Sequence, residues 1–203
     1  MLSLGSFITQ IFAREKRAQA DASRRMLIEL LALRGHQAFS EVARRTGLTA
    51  SPEVGERGPS LAGEIRGIEV AVAMAENRGE GFMMRFSAVA NGAHPMVVNL
   101  SPRPRGLLAR FRKPMGIGDA ELDEVFSTQA TSLDDARLLL DERGRSTLLS
   151  LPDRMPIYFD YRNGEVTLDV SGVELDPDRI VFVLEWLVSI ANGRPEGTKP
   201  YRG

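Results

Sequence analysis

The chain has 203 residues, of which 43% are hydrophobic and 26% charged, proportions close to those of soluble globular proteins. They exclude wholesale disorder, a fibrous repeat and a polytopic membrane protein, and the absence of cysteine excludes disulfides, thiolate metal sites and a cysteine nucleophile. A net charge of −1 gives no bulk attraction to nucleic acid or anionic lipid, and two histidines, His36 and His94, are too few for a histidine-rich metal centre.

Along the chain, Leu2, Leu4, Phe7, Ile8, Ile11 and Phe12 recur at near-helical spacing ahead of Arg14-Glu15-Lys16-Arg17. This pattern predicts a short amphipathic helix with a basic end, able to dock on the body, on another copy or on a membrane surface. It lacks a basic region before its apolar residues and a small-residue cleavage site, so it does not read as a secretory signal. No stretch reaches the roughly 18 apolar residues of a membrane span. The expected location is cytoplasmic, with a peripheral membrane position as the alternative. A second helix is expected over about 15–34, its apolar half carrying Met26, Leu27, Leu30, Leu31 and Leu33, with Gly35 ending it as a C′ glycine. A third covers about 39–46, capped by Ser40 and ended by Gly47. Residues 51–60, SPEVGERGPS, read as a linker.

Beyond it the period changes from helical to alternating. Ile68, Val70, Val72 and Met74 form one run, Phe82, Met84, Phe86 and Ala88 a second, and Met96, Val98 and Leu100 a third. Turn signals at Arg66-Gly67, over 77–81 and at Asn91-Gly92 separate them, which predicts a four-stranded antiparallel meander over about 61–101. One apolar face per strand requires a cover of helices. Helices are expected at 133–142 with Ser132 as cap and Asp135 in a capping box, around 145–151, and at 177–191, where Asp176 caps and Pro177 takes the first position. Between them Ile157, Phe159 and Tyr161 and then Val166, Leu168 and Val170 alternate around an Asn163-Gly164 hairpin turn. The final helix is apolar nearly all round and should be covered on both sides. The fold expected is α+β: an N-terminal helical arm over 1–50, the linker 51–60, and an antiparallel sheet of six or seven strands packed by helices over 61–193. A polar tail occupies 194–203.

Charge is unevenly distributed. Residues 1–50 carry a net of +4, residues 101–113 five basic residues and no acid, and residues 116–142 a net of −7. An intramolecular match of the last two blocks is the simplest reading.

Candidate chemistries are weak. Phe39 to Thr49 resembles the first half of a helix-turn-helix, with Ala43 inside and Gly47 in the turn. Pro52, Gly55 and Gly58 leave no room for a recognition helix, so helix–turn–strand is expected and nucleic acid disfavoured. Arg103, Arg105, Arg110, Phe111, Arg112 and Lys113, interleaved with Leu107 and Leu108, could meet a lipid surface or a single strand, though one aromatic is thin for base stacking. Asp119 and Asp123 could share a helix face toward a hard cation, but Asp119 as an N-cap with Glu121 in the first turn explains them more cheaply. No nucleophile elbow, phosphate loop or Ser/His/Asp constellation is present, and no cofactor is expected.

Gly63-Glu64-Ile65-Arg66-Gly67-Ile68-Glu69-Val70, Gly118-Asp119-x-x-Leu122-Asp123-x-x-Phe126, and Ala136 with Leu139-Leu140 ahead of Arg143–Leu149 resemble an uncharacterised bacterial domain family found in proteobacteria, myxobacteria among them. The resemblance covers about 60–190 and implies a coherent fold without implying an activity. Relatives of that kind begin with a hydrophobic anchor, where this chain has only the 1–12 segment.

The expectation that follows is a non-enzymatic interaction or scaffold domain, self-associating or binding a protein partner through Leu4, Phe7, Ile8, Ile11 and Phe12. A membrane-peripheral protein that also uses the 103–113 loop is the alternative. A small-molecule-binding domain and a DNA binder rank below both.

Overall fold

The computed structural model describes residues 4–52, 57–77, 81–89, 96–103, 116–151, 156–162 and 164–192. Helix α1 runs from Leu4 to Thr46 without interruption, 43 residues or about 64 Å at 1.5 Å per residue. The three separate helices expected there are therefore one, and Gly35 is not a terminator. A Cβ at Gly35 would lie 3.0 Å from Pro59 Cγ and 3.4 Å from Met74 Cε. Glycine is needed at this point for clearance against the sheet, not for a left-handed cap. The helix ends as expected at Gly47, with φ 79° and its N–H donating to the Ala43 carbonyl at 2.8 Å. Strand β1 (Thr49–Ser51) follows directly, so the connection is helix–turn–strand.

The linker expected over 51–60 is partly sheet. Ser51 ends β1, and β2 (Arg57–Ile65) pairs with both β1 and β3 (Ile68–Asn77). At the β2–β3 hairpin Ile65 faces Ile68, and Arg66 and Gly67 take φ of 53° and 77°, positive at both central positions as a type I′ turn requires. Strand β4 (Gly81–Val89) continues the meander, and there it stops. Strand β5 (Val97–Pro102) does not pair with β4; β8 (Glu165–Ser171) takes that place, followed by β7 (Ile157–Arg162), β5 and β6 (Phe126–Ala130). The four-stranded meander over 61–101 is thus corrected to three strands plus a distant pairing. Asn91-Gly92, outside the described residues, does not join neighbouring strands. The sheet holds eight antiparallel strands among the described residues, in the order β1-β2-β3-β4-β8-β7-β5-β6.

Helices cover one face. The alternating residues Val70, Val72, Met74, Met84, Phe86, Ala88, Phe159, Tyr161, Val166, Leu168 and Val170 are all buried beneath them. Helix α5 (Pro177–Ala191) starts at the expected cap, with the Asp176 carboxylate accepting from the Asp178 N–H, and packs on β3, β4 and β8. The last turns of α1 lie over β2 and beside α5. The helix expected over 133–142 is broken: α3 (Leu133–Leu139) ends early, and Asp141 caps α4 (Glu142–Ser150), which packs against α5. The opposite sheet face is polar and carries a bidentate Arg85–Asp169 pair, both contacts at 2.7 Å.

Short helix α2 (Ala120–Val125) carries the acidic block. Asp119 caps it, accepting from Glu121 N (3.0 Å) and Leu122 N (3.1 Å), and also meets Arg145 Nε at 2.8 Å. Burial opposes ionisation there, but the Leu122 N–H, the Arg145 guanidinium and the Glu121 N–H together hold the Asp119 carboxyl below its ordinary value. Asp119→Ala should destabilise the fold by about 0.5–2 kcal/mol, mostly through the lost cap, because the ion pair is partly exposed. A depressed folded pKa contributes stability that is present above the unfolded value and lost as pH falls through the folded one. Urea titrations of the two proteins should therefore converge as pH drops below the ordinary aspartate range; a constant gap would contradict the assignment.

Candidate interaction surface

Helix α1 has two apolar sides. Gly35, Ala38, Phe39 and Val42, with Leu31 partly buried a turn earlier, face the sheet and α5. Met26, Leu30 and Leu33 recur at i, i+4 and i+7 on the opposite side, flanked by Leu27. These four are 72%, 47%, 58% and 52% exposed, respectively. Of the described side chains from Ala22 to Leu30, all but Ile28 are exposed. An isolated exposed leucine is ordinary, but four on adjoining turns of one helix form a patch of the kind that marks an interaction site.

The patch leads into an open groove of about 430 Å³ between α1 and the start of α5. Its floor is Ala38, Leu175 and Pro177, and its rim Arg34, Gln37 and Glu41. Positions 27, 30, 34, 37, 38 and 41 step along α1 at three- and four-residue intervals, so stripe and groove are one continuous side of the helix. Glu41 accepts from Arg44 (2.8 and 3.0 Å) and Arg45 (2.7 Å), and Arg45 also pairs with Asp178 at the start of α5. Those hydrogen bonds lower the Glu41 carboxyl to about 2, so the rim keeps its charge through the physiological range. An exposed, already paired carboxylate is a poor proton shuttle, and the groove gathers no other titratable pair. What this side offers is an apolar strip with a charged end.

The other expected surfaces fare differently. Leu4, Phe7, Ile8, Ile11 and Phe12 lie within α1, but their side chains are outside the described residues, as are Arg105, Arg110, Phe111, Arg112, Lys113 and His94. Arg103 is engaged locally: its N–H donates to Val125 O at 2.8 Å and its guanidinium to Asp123 O. Strand β5, which leads into it, and β2 beneath α1 are five spacings apart, about 24 Å. Asp119 and Glu121 of the acidic block are matched by Arg145, just beyond it, and Asp134 by Arg137 within it. Asp123 is engaged by the Ile117 and Gly118 N–H groups at 2.8 and 2.9 Å. No group of three or more metal-ligating side chains occurs among the described residues, nor does any helix there have the length and apolarity to cross a membrane.

Sequence reasoning found the apolar residues of 26–33 but not which of them face out. Ile28 and Leu31 occupy the inner side and Met26, Leu30 and Leu33 the outer, a division that composition alone does not reveal.

No protein-family model matches the chain, and neither does any curated protein. Among solved structures the fold is similar to that of the mycobacterial trehalose monomycolate transport factor A, TtfA, with a TM-score of 0.50 at 18% identity. The similarity covers 79% of this chain and 92% of the other. At that identity the likeness concerns the fold.

Proposed function

We propose that this chain is a non-enzymatic interaction module whose sheet-and-helix body supports a long helical arm, and that the outer side of the arm receives a protein. The observation that carries this reading is the exposure of Met26, Leu27, Leu30 and Leu33 on the side of α1 turned away from the core. Fully burying one such side chain contributes about 1.5–3 kcal/mol, and these four still have about half to three-quarters of their surface to bury, which makes the patch the main apolar surface of the described arm. The fold's likeness to a protein described as a transport factor accords with a role in a transport-associated assembly, without naming its cargo or partner.

A photo-crosslinking residue placed at position 30 in the native cell should capture a discrete protein band. The same residue at position 167, on the polar sheet face, should not. Equal labelling at both positions, or none at position 30, would remove the interaction reading.

A further inference from the structure

We draw no further inference here: the strongest candidate, the exposed side of helix α1 formed by Met26, Leu27, Leu30 and Leu33, belongs to the surface already proposed to receive a protein, and nothing among the described residues shows what covers it.

Discussion

Phe39→Ala is expected to destabilise the whole protein by about 3–5 kcal/mol, read as a shift of the single urea transition. Phe39 is completely buried near the end of α1, between Ala38 and Val42, in the same core that holds the sheet residues and α5. Removing the ring leaves a cavity where a 64 Å helix joins the body, and neighbours on three elements must collapse to fill it. Leu30→Ala, two to three turns earlier on the outer side, should shift the same transition by less than about 0.5 kcal/mol. The contrast is the informative result. If the arm were a separate helical unit joined by a linker, Phe39→Ala would leave the sheet transition where it was.

That continuity between arm and body was hidden in the sequence for a definite reason. Gly35 and the proline- and glycine-rich 51–60 stretch are ordinary breaking signals, and here Gly35, Gly58 and Pro59 are used for close packing. Gly35 lets α1 pass against Pro59 and Met74. At Gly58 a Cβ would stand 2.6 Å from the Met74 carbonyl oxygen, so β2 can approach β3 there only without a side chain. Local propensity cannot distinguish a glycine that ends a helix from one that lets it approach a sheet. The alternation of β3, β4, β7 and β8 was legible because one covered face imposes it residue by residue. The insertion of β8 and β7 between β4 and β5 was not, since strand order depends on pairings between residues more than 80 positions apart, such as Met84 with Val170. Strand β6 is hard to read because it is five residues long and its inward side is only Phe126, Thr128 and the partly buried Ala130.

The candidate surface was half legible for a related reason. The density of Leu and Met over 26–33 is plain, but apolar residues lie on both sides of α1 in that stretch. A helix of that kind ordinarily reads as buried all round. Its side chains are instead divided between a core on one side and solvent on the other, and only the path of α1 off the edge of the sheet shows that division.

Trp186→Ala is the second large effect, and its comparison with Trp186→Phe separates two contributions at one site. Trp186 is the only tryptophan, is fully buried in α5, and stacks on Phe159 with ring centroids 5.4 Å apart and planes 28° from parallel. Gly144 packs so tightly against it that an added Cβ would lie 3.0 Å from Trp186 Nε1. Truncation to alanine should therefore cost about 3–5 kcal/mol through lost contacts and the remaining cavity. The indole N–H, however, is buried without a hydrogen-bond partner, which costs about 1–3 kcal/mol of desolvation in the native protein. Trp186→Phe removes that liability, keeps a ring over Phe159, and loses only the volume of the second ring. The desolvation term regained offsets much of the smaller cavity, so the phenylalanine variant should lie within about 1.5 kcal/mol of the native protein. Urea titration followed by circular dichroism measures both, since the fluorescent probe is lost with the residue. If both variants lose stability equally, the indole N–H has a partner in solution and the stacking carries less than the geometry assigns to it.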